Sequence, residues 1–140
     1  MINKIGCIEI PVSDMGKAVD FYENVLGLKK TYEHPVWTSF DIGGVTFAIA
    51  VSGTKGKGEK ICKSCALCTL RYAAGKMKLH KETPTATSVI YLEVEDLDRV
   101  YRELKRKGVE FISEPKEQSW GGKVAIMLDP DKNILVLLET

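Results

Sequence analysis

The sequence predicts an α+β protein built from two βαβββ modules, which form a cupped mixed sheet with the helices on the outside. Three observations predict this. A strand, a helix and a turn follow one another within Ile5 to Leu28 (IGCIEIPVSDMGKAVDFYENVLGL). Much of that unit returns in Ile90 to Val109 (IYLEVEDLDRVYRELKRKGV), where Val12-Ser13-Asp14-Met15 matches Val94-Glu95-Asp96-Leu97 and Gly27-Leu28 matches Gly108-Val109. Three more strand-like segments then follow each copy. Two copies are too few for a solenoid and suit two modules of one domain that share a core.

The first strand is signalled by Ile8, Ile10 and Val12 alternating with Cys7, Glu9 and Pro11, the period of a half-buried sheet. Ser13 or Asp14 caps the helix that follows, because a short side-chain oxygen there accepts from the orphan N–H groups of the first turn. Ala18, Val19, Phe21, Tyr22, Val25 and Leu26 supply its apolar stripe, and Gly27 ends it. Lys29 to Glu33 forms the second strand, broken at His34-Pro35 because proline cannot donate to a ladder. Val36 to Ile42 is the third strand, Gly43-Gly44 a hairpin turn and Val45 to Val51 the fourth strand.

Module two runs in the same order. Ser88 to Val94 is a strand, and Asp96 to Lys107 is a helix stopped by Gly108. Val109 to Ser113 is a short strand ending in a loop that holds Glu114-Pro115. Lys123 to Leu128 and Ile134 to Glu139 are strands joined by the turn Asp129 to Asn133. Module one thus occupies residues 1–51, module two residues 88–140, and an insert fills 52–87 within a single domain of 140 residues.

Composition narrows the function classes. Apolar residues make up 44% and charged residues 28%, which is ordinary for a globular domain. The net charge of +1 gives no electrostatic case for a nucleic acid or a membrane surface as partner. No apolar run approaches the roughly 20 residues of a membrane span. The start MINKIGCIEI enters a strand without a signal-peptide pattern, so a cytoplasmic location is expected, with cysteines as thiols or metal ligands rather than a disulfide framework.

Alternation also sorts the side chains. Ile8, Ile10 and Val12 pack under the first helix and Ile90, Leu92 and Val94 under the second, so Cys7, Glu9, Val89, Tyr91 and Glu93 point the other way. Trp37, Ser39 and Asp41, or else Thr38 and Phe40, join them, above an apolar floor of Ile134, Val136 and Leu138. The result is an apolar cup with an aromatic or two and a pair of symmetry-related glutamates, Glu9 and Glu93. That mixture suits a small organic ligand, and acid beside Trp or Tyr faces favours a cationic, partly planar one. The plainer alternatives are that the glutamates meet lysines or solvent at the rim, and that Trp37 and Tyr91 serve core or dimer packing. Cys7 has no base or cation beside it in the sequence that would activate it as a nucleophile.

Paired βαβββ modules, the VSDMGKAVDFYENVLGL segment and the late DPDKNILVLLE resemble the vicinal oxygen chelate superfamily, which includes glyoxalase I, extradiol dioxygenases, fosfomycin-resistance enzymes and bleomycin-binding proteins. The resemblance covers both modules and spares the insert, and it implies a homodimer. In metal-using members the first and last strands of each module offer His or Glu ligands. Those positions fall here on Cys7 and Val89, on Val136, and on Ala50, or on Ala48 if the register differs by two. An aliphatic side chain has no lone pair for a cation, whereas a catalytic site needs about three protein ligands. The expectation is therefore no cofactor at those positions, and a metal-independent protein that sequesters an aromatic or cationic compound. The competing expectations are a metal-dependent glyoxalase, dioxygenase or lyase with a displaced site, and a cysteine-based metal or thiol sensor.

The sensor alternative rests on the insert. Cys62, Cys65 and Cys68 form two overlapping Cys-x-x-Cys steps, and His80 follows, a donor set that zinc accepts. The spacing lacks the two separated pairs of a standard zinc module, and the same cysteines read more simply as the buried stripe of a short helix.

Overall fold

The computed structural model describes residues 1–51 and 89–140. The chain divides into two units, Met1–Thr83 and Pro84–Thr140. Among the described residues, each contains one four-stranded sheet carrying one helical segment.

In the first unit, strand β1 (Cys7–Pro11) leads to helix α1 (Met15–Val19), and β2 (Lys29–Tyr32), β3 (Trp37–Ile42) and β4 (Val45–Ala50) complete a sheet of order β1-β4-β3-β2. Pairing is parallel between β1 and β4 and antiparallel elsewhere, so the sheet is mixed. Asp14 is the cap: its side chain accepts from the Lys17 N–H at 3.0 Å. Gly43 and Gly44 both adopt positive φ, 58° and 86°, as the tight β3–β4 hairpin requires.

The first helix departs from the expected uniform α-helix. After Val19 it widens into a π-helical segment, Asp20–Val25, and the Leu26 N–H reaches back five residues to the Phe21 carbonyl at 2.9 Å. Within the wider turn the adjacent Phe21 and Tyr22 both bury, meeting edge to face at 5.0 Å. Tyr22 also contacts Phe47 at 5.1 Å and Phe40 at 5.9 Å between ring centroids. With Val12, Ala18 and Ile49 these rings form the core between helix and sheet.

In the second unit, β5 (Ile90–Glu93) leads to helix α2 (Leu97–Arg106), and β6 (Glu110–Glu117), β7 (Lys123–Leu128) and β8 (Ile134–Glu139) give the order β5-β8-β7-β6. Asp96 caps α2 by accepting from the Arg99 N–H at 3.0 Å, the counterpart of Asp14. The core is Leu97, Leu104, Val109, Ala125, Met127, Leu135 and Leu137. β6 corrects one expectation. Instead of ending at Ser113 it continues through Glu114 and Pro115 to Glu117. It is an edge strand, and its pairing with β7 shifts register between Phe111 and Ser113 and again between Ser113 and Lys116, so the missing proline donor interrupts no regular ladder.

Asp129 closes the last turn from a buried position. Its carboxylate accepts from the N–H groups of Asp131 and Asn133 and from Asn133 Nδ2, each at 2.8 Å. Among the described residues, no helix is long and apolar enough to cross a membrane.

Candidate functional site

Strand register fixes what the first sheet displays on the face opposite α1. Glu9 pairs with Ala48 and Ala48 with Ser39, while Pro11, Ala50 and Trp37 form the next row and Cys7, Thr46 and Asp41 the row before. Phe40 and Phe47, one residue out of phase, meet Tyr22 on the helical side. The open choice on β3 is thus settled for Trp37, Ser39 and Asp41. Ser39 also shares a hydroxyl contact of 2.9 Å with Thr31 on β2.

One contact organises this face. Trp37 Nε1 donates to Glu9 Oε1 at 2.8 Å. Glu9 lies on β1 and Trp37 on β3, with β4 between them, so this bond must span β4. On that side β4 presents Ala48 and Ala50, which are 0% and 5% exposed. Their small side chains leave room for the crossing. Tyr32 stands next to Trp37, with ring centroids 5.9 Å apart and planes tilted by 51°, and it stacks on His34 at 6.4 Å. Cys7 is on the same face, two residues before Glu9. Partial burial, and then the Glu9 charge, push its thiol above the ordinary range, which makes it a poor nucleophile at neutral pH.

In the second unit, Tyr91 pairs with Val136 and Glu93 with Leu138. Tyr91 is 59% exposed and Val136 is 4% exposed. Glu93 is exposed and accepts from Thr140 Oγ1 at 3.1 Å. Ile134, Val136 and Leu138 share their face with Leu128, Ile126 and Val124, the apolar floor the alternation implied.

The two glutamates are not counterparts. The Val12 N–H donates to Ala50 O and the Val94 N–H to Leu138 O, which equates Ala50 with Leu138 and Ala48 with Val136. Glu9 therefore corresponds to Tyr91, and Glu93 corresponds to Pro11. Counting back from the shared valine was enough to reveal this, because Glu9 precedes Val12 by three residues and Glu93 precedes Val94 by one.

The same registers choose between the two alanines, since Ala48 is the partner of Val136. The positions at which metal-using relatives place ligands are then Cys7, Ala48, Val89 and Val136. One thiol and three aliphatic groups do not fit a divalent cation, because too few donors are present. Among the described residues, no group of three or more His, Cys, Asp or Glu side chains is placed to hold a metal ion. Cys62, Cys65, Cys68 and His80 lie outside the described residues.

The sequence reading missed Tyr32 and the bond between Glu9 and Trp37. Tyr32 carried a signal, since it is the last β2 residue before the His34-Pro35 break and faces Trp37 across that turn. The hydrogen bond joins residues 28 apart in sequence, and no local pattern encodes it.

Comparison with known proteins matches both units. The chain is 27% identical over 139 residues to the uncharacterized protein YetH of Bacillus subtilis, covering 99% of this chain and all of that one. A structure from Sphaerobacter thermophilus, described as a member of the glyoxalase/bleomycin resistance protein/dioxygenase superfamily, matches with a TM-score of 0.68 at 23% identity, covering 99% of this chain and 98% of that one. A glyoxalase-related enzyme from Fulvimarina pelagi matches with a TM-score of 0.69 at 12% identity, covering 99% and 89%. At these identities the two structures speak for the fold alone. The model of the Glyoxalase/Bleomycin resistance protein/Dioxygenase superfamily matches residues 4–137, and the chain belongs to that superfamily.

Proposed function

We propose that the protein is a metal-independent, small-molecule-binding member of its superfamily that sequesters an aromatic or cationic compound. The ligand-binding side chains of this proposal are Cys7, Glu9 and Trp37 on the first sheet and Tyr91, Glu93 and Val136 on the second. The observation that carries it is the face of the first sheet opposite α1. There a carboxylate is fixed beside aromatic rings, while the positions that hold metal ligands in relatives carry Cys7, Ala48, Val89 and Val136. Such a face offers shape, π surface and the Glu9 carboxylate, and binding needs nothing more. Among the described residues it has no set of donors for a Lewis acid, and the raised pKa of Cys7 does not activate that thiol. The proposal extends to a cytoplasmic homodimer, and the net charge of +1 gives no electrostatic case for a nucleic-acid or membrane partner.

The test is a titration of intrinsic fluorescence from Trp37 and Trp120 against a library of planar and cationic aromatic compounds. Saturable quenching or a spectral shift by at least one compound is expected. Silence across the library contradicts the proposal. Stoichiometric Ni, Fe, Mn or Zn in the purified protein, bound outside the cysteine insert, transfers the case to a metal-dependent enzyme. Zinc lost in a Cys65→Ser variant transfers it to a sensor.

A further inference from the structure

We infer that Glu9, Tyr32 and Trp37 form a subsite for a protonated amine, held through a single carboxylate oxygen, in preference to a guanidinium or a neutral group. The inference rests on the small-molecule reading above and names the class of ligand that reading leaves open.

The carboxylate is oriented without being neutralised. Glu9 Oε1 accepts from an uncharged donor, the Trp37 indole, at 2.8 Å. Among the described residues Glu9 joins no ion pair, whereas Glu23, Glu33, Asp98, Glu103, Glu110 and Glu139 each meet a lysine. Within the described residues its negative charge is therefore left for a ligand. Cys7 beside it has a raised pKa and so stays an uncharged thiol at neutral pH, adding no second negative charge.

The indole bond also decides which cation fits. A guanidinium gains most from a carboxylate through two parallel N–H···O bonds, one to each oxygen. Each carboxylate oxygen has two lone pairs, so a fork on Glu9 would have to share Oε1 with the indole, within the geometry that bond leaves. An ammonium is a compact charge that one oxygen can serve, and Oε2 has no other partner among the described residues. The rings supply the second half of the subsite. The Trp37 indole is next to the acid, and Tyr32 stands 5.9 Å from that indole, tilted by 51°, so it extends the aromatic surface away from Glu9 towards β2. Tyr32 is 53% exposed, and its π face attracts a cation or packs on the planar part of an arylalkylamine.

The experiment compares benzylamine, benzylguanidine and benzyl alcohol on the full chain by calorimetry. It is repeated with Glu9→Gln, which keeps an oxygen acceptor for the indole, and with Tyr32→Leu, which alters an exposed edge-strand residue. The expected result is benzylamine binding about tenfold more tightly than the other two, on the scale of one good charged contact. Glu9→Gln abolishes that preference and leaves the alcohol unchanged, while Tyr32→Leu weakens benzylamine about threefold to tenfold. Equal affinity for benzylamine and benzyl alcohol overturns the amine subsite and leaves small-molecule binding standing. Tighter binding of benzylguanidine, or an unchanged preference in Glu9→Gln, also overturns it. If neither these probes nor any member of the aromatic library binds, the small-molecule reading falls and the subsite falls with it.

Discussion

Trp37 and Glu9 depend on the alanines beneath them. The indole reaches the acid only because β4 presents methyl groups on the face it crosses. Ala48→Leu puts three further carbons at a position with no free surface, so it should destabilise the protein by about 1–3 kcal/mol through overpacking. It should also shift Trp emission as the indole is displaced, and urea denaturation followed by fluorescence reads both effects. Trp37→Phe removes the donor instead and leaves a solvent-accessible carboxylate, which costs only about 0.5–1.5 kcal/mol.

Cys7 makes a prediction of opposite sign to that of a catalytic thiol. Its folded pKa is raised, so the folded state holds the proton more tightly than the unfolded chain. Between the ordinary thiol pKa and the raised one, stability falls as pH increases, because the unfolded state then binds fewer protons. At pH about 8 the folded protein should alkylate Cys7 with iodoacetamide more slowly than the urea-unfolded chain does. Peptide mapping by mass spectrometry separates it from the cysteines of the insert. Faster reaction in the folded state would mark an activated thiol.

At the level of elements, the two helix starts and the last turn hold the scaffold. In α2 the first N–H groups are met twice: Asp96 caps Arg99, and Glu139 at the end of β8 accepts from the Leu97 N–H at 2.6 Å. Lys123 from β7 reaches Asp98 at 2.8 Å and Glu139 at 3.9 Å. The bond to Asp98 is the main reason that its pKa is raised. These partly solvated ion pairs contribute little, but Asp129 is different. It is buried and serves three donors, so Asp129→Ala should cost about 2–3 kcal/mol, seen as a lower urea midpoint.

Elements were legible where one local rule governed them. Asp14, Gly27 and Gly43-Gly44 each announced a boundary, and strand alternation assigned the faces. β6 escaped because Pro115 reads as a break, and only an edge position with irregular pairing lets the strand run on. The π-helical turn escaped because burying Phe21 and Tyr22 together answers to the rings of Phe40 and Phe47, which lie far along the chain. On the candidate site, the chemistry of Glu9 and Trp37 was visible but their contact was not. The supposed kinship of Glu9 and Glu93 failed once registers paired Glu93 with Leu138.

For the whole molecule, the repeat is the main constraint. Each unit has the same strand order and the same aspartate cap, yet the faces opposite α1 and α2 differ in character. The first carries acid, indole and small residues, and the second is largely aliphatic. Superfamily membership accounts for the repeat, and the differing faces account for the proposed activity, since one fold supports many chemistries. The same view predicts that stripping divalent ions leaves thermal stability unchanged, because none of the positions at which relatives hold metal has a donor set to lose.

The central claim is that ligand binding needs no metal. Its most direct test is calorimetry of the tightest compound from the fluorescence library, run on protein dialysed against a strong chelator and again after divalent ions are restored. The account predicts the same affinity and stoichiometry in both. Binding that disappears with the chelator and returns with one divalent ion would contradict it.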